Sequence, residues 1–584
     1  MKNQSLPLGR NGQKLNTNNM GFKKIGIIAA VMVGSLATAQ TSQLADLVTE
    51  FEADNWALDR TYIVDESDEY YQRFSKFYSD WQKKMASIDF GSLSQQGKVD
   101  YVLLKNLVTK GEYFLNQDYN AFKEVDEVGH FAKDILPFIQ ERRRGKKPDA
   151  KNLAQLFQNA TRTIDSEMES WKSKPFKDWQ TADKASTVVL SLQRGLEEAY
   201  NFYYGYDPDF TWWVEEPYKK LNEKLTAYAD FLKENYAQGS VKDDGSGIIG
   251  KPIGEEALNE SLAMAFIPYT PAELIKTAEE QFEWCKNEMI KASRELGYGD
   301  DWKKALEHVK NTYVPAGEQP QAIMDLYSHS VDFIEERDLI TLPDLAKETW
   351  GMKMMSPERQ KVNPFFLGGR DIIISYPTME MDHDDKLMSM RGNNPNFSFP
   401  TVQHELLPGH NLQYFMTSRH KSYRRAFSTP FWTEGWALYW EINLWNKDFP
   451  QTPEQKLGML FWRIHRCARI IFSLKFHLGE MTPQECIDLL VDEVGHEYAN
   501  AEAEVRRSFT TNYPPLYQLA YMMGGLQFYA LRNEMLEKGW TEKQFHDRVM
   551  QEGRMPVELL RSLLQDLPLN KNYKTKWKFS TAFQ

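Results

Sequence analysis

The residues best equipped for chemistry lie in two short stretches, "HELLPGH" (404–410) and "FWTEGWALYWE" (431–441). Catalytic zinc commonly takes two histidines and one carboxylate and leaves a fourth position open to water. His404, His410 and Glu434 supply such a set. Glu405, next to the first ligand but pointing elsewhere, is placed to take a proton from that water. The spacing raises a difficulty, because residues six apart on a regular helix lie about 240° round from each other. His404 and His410 share a metal only if the backbone leaves the helical path between them. Pro408 and Gly409 provide the reason: proline removes a backbone donor and clashes with the preceding turn, and glycine permits unusual dihedrals. The stretch then reads as His-Glu-x-x-His with two residues inserted as a bulge or a break.

The elements that must hold these residues are mainly helical. From Gln40 to about residue 235 apolar residues recur at three- and four-residue intervals, as in "AKNLAQLFQNATRTIDSEMESW" (150–171). Proline and glycine fall between such runs. "TPAELIKTAEEQFEWCKNEMIKASREL" (270–296) predicts a long helix that starts at Thr270 before Pro271. The glycine-rich "AQGSVKDDGSGIIGKPIGEEAL" (237–258) predicts a loop or a boundary, dividing a helical N-terminal region (40–250) from a zinc-peptidase-like region (251–584) within one continuous fold. One strand is expected, "DIIISYP" (371–377), part of a small sheet beside the motif and able, as an edge, to take up an extended peptide. Helices resume at about residue 400. The expected fold class is mainly α, a large helical metallopeptidase-like fold with a small β-sheet beside the active-site helices.

Two other features carry less. "GSGIIGK" (245–251) has phosphate-loop spacing, but Pro252 stands where a magnesium-binding hydroxyl belongs and no core strand precedes it. The aromatic cluster "FYYGYDPDFTWW" (202–213) is of a kind that lines peptide or sugar clefts, and is read here as core.

Composition narrows the function classes. The chain of 584 residues is 42% hydrophobic and 26% charged, ample for a sizeable core. Its formal charge of -12 excludes the basic footprint of a nucleic-acid binder. Lys23 and Lys24 precede the apolar "IGIIAAVMVGSL" (25–36) and then Ala37-Thr38-Ala39, which predicts a signal peptide over 1–39 cleaved before Gln40. Cleavage removes five basic residues and takes the charge from -12 to -17. The apolar run is short for a membrane span, and no cysteine follows the cleavage point for lipid attachment. A periplasmic or secreted protein without an integral membrane segment is expected. Cys285, Cys467 and Cys486 are too few for a disulfide framework, although Cys467 and Cys486 could pair in an oxidising compartment.

"Glu-Gly-Trp-Ala-x-Tyr" at 434–439 resembles the Glu-Gly-Phe-Ala-x-Tyr of the aminopeptidase N-like gluzincins, in which that glutamate binds zinc. More closely, the chain resembles the bacterial family called domain of unknown function 885 (DUF885). Its members carry His-Glu-x-x-Pro-Gly-His-x-Leu-Gln before Glu-Gly-Trp-Ala-x-Tyr, here His404 to Gln413 and Glu434 to Tyr439. The family looks like a branch of the zinc metallopeptidases, distantly similar to helical oligopeptidases and carboxypeptidases. The resemblance implies one zinc ion per chain, a peptide substrate and Glu405 as base. "EVRRSFTTNYPPLYQLAYMMGGLQ" (504–527) is similar to a later family stretch and carries over Arg507 and Tyr521. Tyr521 would donate a hydrogen bond to the oxyanion. Arg507, or Arg506 beside it, would grip a substrate carboxylate. In "RIIFSLKFHLGEMTPQECIDLL" (469–490) Arg469 and His477 match the family, while Ser473 and Lys475 replace its aspartate and glycine. His477 would orient the oxyanion or substrate, or simply pack. The segment before the first histidine, "RGNNPNFSFPTVQ" (391–403), also departs from the family.

The sequence therefore points to an exported zinc metallopeptidase. Two alternatives remain open: a metal-binding periplasmic protein without hydrolytic activity, and a zinc hydrolase of a non-peptide amide or ester. A pure binder has no use for Glu405 beside its first ligand, and a substrate panel separates the third reading.

Overall fold

Helix starts are written into the sequence as capping residues. Thr270 accepts a hydrogen bond from the Glu273 amide while the Glu273 carboxylate takes the Thr270 amide, with Pro271 in the first turn. The helix so begun spans Pro271–Glu295, as its sequence predicts. Thr452 and Gln455 cap the Pro453–Leu478 helix in the same way. A computed structural model describes residues 42–579 of the chain, apart from 238, 240–242, 361–364, 367 and 511–512. The expected signal peptide (1–39) lies outside the described residues. The architecture is mainly α, and among the described residues no helix is long and apolar enough to cross a membrane.

Apolar side chains gather in two clusters. The smaller uses residues from Val64 to Leu232, on helices Ala150–Lys172, Trp179–Tyr203 and Pro208–Glu234 among others. The larger includes the Gln95–Lys123 helix and most of the chain beyond Ile248. A fully buried guanidinium ties the chain's distant parts together: Arg424 donates to Asp100 at 2.8 Å and to the Glu552 carbonyl at 2.7 Å.

Two expectations change, and the loop at 245–251 gains a role. Most of the aromatic cluster at 202–213 is surface rather than core: Tyr206 is 83% and Trp212 82% exposed, and only Tyr203 and Phe210 are buried. The short turn at Gly205 keeps the ends of two helices at the surface, so rings on their outer faces have nothing to pack against. Cys467 and Cys486 do not pair; all three cysteines are free and buried, and Cys467 has Cys285, on the packed Pro271–Glu295 helix, as its thiol neighbour. The loop at 245–251 has a structural duty: the Ser246 and Gly247 carbonyls accept from Arg506, and Gly250 lies under the Phe476 and Phe509 rings.

The expected strand is present over Asp371–Ile374, paired in parallel with Gly351–Met354, with Gly351 opposite Asp371. It does stand beside the motif. The Asn411 amide donates to the Gly369 and Arg370 carbonyls just before the strand.

Helices Pro430–Trp445 and Tyr517–Glu537 cross with their backbones in contact. A methyl group on Gly524 would lie 2.2 Å from the Phe431 carbonyl oxygen and 2.7 Å from the Gly435 Cα. Glycine is needed at this crossing because no side chain fits between the two main chains. Gly524→Ala is expected to lower stability by roughly 1–3 kcal/mol, the usual cost of overpacking. Gly525→Ala, whose methyl would meet only ordinary contacts at 3.4 Å, should be near neutral. Urea midpoints of the two variants check the difference, and equal midpoints would refute the account.

Candidate metal centre

The motif is a helix broken in two. Helix Pro395–Glu405 ends with His404 in its last turn, and helix His410–Thr417 opens on His410. Between them the Leu407–Pro408 peptide is cis and the Gly409 amide reaches back to the Gln403 carbonyl at 3.0 Å. A methyl on Gly409 would lie 1.9 Å from the His404 carbonyl oxygen, so this close return of the chain requires glycine. The Trp436 indole donates to the Pro408 carbonyl at 2.9 Å and holds the break against the Pro430–Trp445 helix.

The break turns both imidazoles toward Glu434. Its Oε2 lies 3.2 Å from His410 Nε2 and 3.7 Å from His404 Nε2, and the three ligand atoms fall within 4.8 Å of one another. All three residues are buried. The outer ring nitrogens are already used. His404 Nδ1 donates to Glu441 Oε1 at 2.6 Å, and His410 Nδ1 donates to Gln413 Oε1 at 3.0 Å. Gln413 is itself oriented by donating to the Trp432 carbonyl at 3.1 Å. Such partners fix the tautomer that leaves Nε2 free to ligate. The Tyr517 hydroxyl donates to Glu434 Oε1 at 2.6 Å, which leaves Oε2 facing the histidines. The donor set fits a divalent metal, with zinc suited to two imidazoles and one carboxylate.

The electrostatics follow from burial and close opposite charges. Burial alone would raise the Glu434 carboxyl, but the neighbouring His410 charge and hydrogen bonds from both histidines hold it well below the usual carboxylate range. Burial would lower His404, yet its bonds to Glu434 and Glu441 lift it to about 9. His410 is raised against its burial by the Glu434 charge. A metal binding here would compete with protons for the ring nitrogens. Glu405 is pushed up by desolvation, with the His404 and His410 charges working the other way.

His404, Glu405, His410, Glu434, Arg507 and Tyr521 all line one cavity of about 310 Å³. Tyr521 stacks near His404, with ring centres 6.3 Å apart. Burial raises its hydroxyl, so it remains a donor. Of the two adjacent arginines, Arg507 faces the cavity and pairs with Glu504 at 2.8 Å, whereas Arg506 turns to Glu502 and the Gly247 carbonyl. His477 is not brought to the site. It packs against Phe476 and Phe509 and takes no part in lining the cavity.

Several contributors were not singled out for roles from the sequence: Glu441, Gln413, Tyr517 and Arg466. Helical spacing is the signal that finds them. Glu441 lies seven residues, two turns, beyond Glu434 on the same helix face; Gln413 is three after His410, Tyr517 four before Tyr521, and Arg466 three before Arg469.

The sequence family described as bacterial protein of unknown function (DUF885) matches residues 53–564. The chain belongs to the DUF885 family. No protein of curated function matches it. Among solved structures, a "putative lipoprotein of unknown function" from Shewanella oneidensis superposes with a TM-score of 0.66 at 18% identity, over 89% of this chain and 99% of that one. A "putative lipoprotein" from Colwellia psychrerythraea gives 0.57 at 16%, over 90% and 98%. At these identities the likeness shows a shared fold.

Two outcomes are expected of this DUF885 protein. Glu441→Gln keeps an oxygen opposite His404 but removes its charge, and should weaken zinc binding about 10–100-fold, the usual effect of removing such a partner. Competition with a chelating dye measures it, and unchanged affinity would sink the ligand assignment. The second concerns His477, which burial holds at about 4. Between that value and the unfolded 6.5 or so, only the unfolded chain binds its proton, so stability falls as pH drops through the window, by roughly 2 kcal/mol at pH 5. His477→Leu should therefore show a smaller fall in melting temperature between pH 7 and pH 5 than the parent.

Proposed function

We propose that this DUF885 protein is an exported zinc-dependent metallopeptidase. What supports the reading is the convergence of His404 Nε2, His410 Nε2 and Glu434 Oε2 within 4.8 Å, on the wall of a cavity that also contains Glu405 and Tyr521. A zinc ion held there supplies a Lewis acid that polarises a carbonyl and lowers the pKa of water.

The chain's own groups do the rest. Glu405 is not needed as a ligand and lies against Gly368 at the cavity wall. Its desolvated carboxyl, raised above the ordinary value, is suited to accept a proton from the attacking water and return it to the departing amine. The Tyr521 hydroxyl, kept protonated by burial, donates to the oxygen on which charge develops. Tyr517 is committed to Glu434 and steadies that ligand. The apolar segment before Ala39 and the fold shared with the two proteins described as putative lipoproteins support a location outside the cytoplasm.

Metal content by mass spectrometry and peptide hydrolysis on the same samples test the reading. Wild type should carry one zinc per chain and cleave peptides. Glu434→Ala should lose both. Glu405→Gln should keep the metal while hydrolysis falls by at least about 100-fold, as loss of a general base implies. A wild type that takes up no zinc when supplied would overturn the proposal.

A further inference from the structure

The cavity's second wall is cationic beyond what its own residues balance. Arg466 and Arg469 stand one helical turn apart on Pro453–Leu478, both facing the cavity and both more than nine-tenths buried. Their guanidiniums lie 4.8 and 4.6 Å from the centre of the Tyr521 ring, which fixes them as flat donors. Glu504 bonds Arg469 Nε at 2.7 Å and also pairs with Arg507 at 2.8 Å, so one carboxylate serves two arginines. Arg466 fares worse. Its ion-pair oxygen is Glu441 Oε1, 3.9 Å away and already accepting from His404. Arg466 Nε and Arg469 Nη1 are buried without a hydrogen-bond partner. Burial and the Arg469 charge both weigh against the Arg466 cation. Buried donors of this kind are costly unless something accepts from them.

An anion entering the cavity would complete this wall. A carboxylate suits the forked guanidinium best, since two parallel hydrogen bonds form at once. Its place relative to the chemistry is also defined. Arg466 approaches Glu441, and Glu441 holds His404, so an anion on Arg466 sits close to the ligand set. In a cavity of about 310 Å³ there is little chain between such an anchor and the reacting bond. We propose that Arg466 and Arg469 bind the C-terminal carboxylate of a peptide, making the enzyme one that cleaves close to the free end. This rests on the peptidase reading given above.

Three short N-acetylated peptides of one sequence separate the possibilities: the free acid, its C-terminal amide, and an amide ending in glutamate. Binding to zinc-loaded Glu405→Gln protein is measured by calorimetry, and cleavage by wild type is followed in parallel. The free acid should bind about 10–100-fold more tightly than the amide, as expected for charged hydrogen bonds. Arg466→Lys, which keeps the charge but loses the fork, should narrow that preference at least about tenfold. Equal binding of acid and amide would overturn the subsite, and the comparison on the Glu405→Gln protein with Arg466 intact decides this even if the Arg466 variant fails to fold. A glutamate-ended amide that binds as well as the acid would overturn the assignment to the chain end. A strong acid preference with no cleavage of any peptide by wild type would uphold the carboxylate subsite and overturn the peptidase reading instead.

Discussion

Gly435 and Gly524 meet where helices Pro430–Trp445 and Tyr517–Glu537 cross with no side chain between their main chains. This crossing sets the position of Glu434 relative to the Tyr517 and Tyr521 phenols. Glu434 is the residue before one glycine, and Tyr521 stands three before the other. The crossing therefore brings the carboxylate ligand and the Tyr517 and Tyr521 phenols to one level, close enough for Tyr517 to hydrogen-bond Glu434. A methyl group at either glycine would meet the other helix's main chain at 2.7 Å or less. The Trp436 indole, on the residue after Gly435, reaches the Pro408 carbonyl and so registers the broken motif against the crossing.

Burying this many charges demands compensation, and the molecule arranges it in layers. Glu434 faces two imidazoles, each imidazole has an acceptor behind it, and Glu441 in turn is approached by Arg466. The hydrogen bonds to Glu434 and Glu441 raise His404 to about 9 despite its burial. A divalent metal held by this group would put its charge where the histidine protons sit.

How much of this was legible in the sequence depended on chain distance. The ligands and Glu405 were readable because their spacing is local and Pro408-Gly409 announces a departure from the helix. The capping residues gave the Pro271–Glu295 helix almost to the residue, since caps are local as well. The partner strand Gly351–Met354 went unread; its four residues alternate weakly, and it is defined by its neighbour rather than by its own pattern. Of the two roles open to His477, orienting the oxyanion and packing, the structure has the second for a related reason. A residue eight after Arg469 on a straight helix has turned some 80° from it, so Arg469 can face the cavity while His477 packs under Phe509.

The aromatic stretch at 202–213 shows the opposite error, where composition suggested burial and topology denied it. Aromatic residues are buried when a helix face meets a neighbour, yet Tyr206 and Trp212 sit at and just after a helix-to-helix turn whose outer side meets none. Helical periodicity would have separated the two cases. Tyr203, Phe210 and Val214 all turn inward, with Phe210 and Val214 four apart on one face, while Trp212 and Trp213 occupy the other side. The same test, asking which side chains share a face with one already assigned, recovers Glu441 from Glu434 and Tyr517 from Tyr521. In a protein built almost wholly of helices, the face a residue occupies carries more information about its role than its type does.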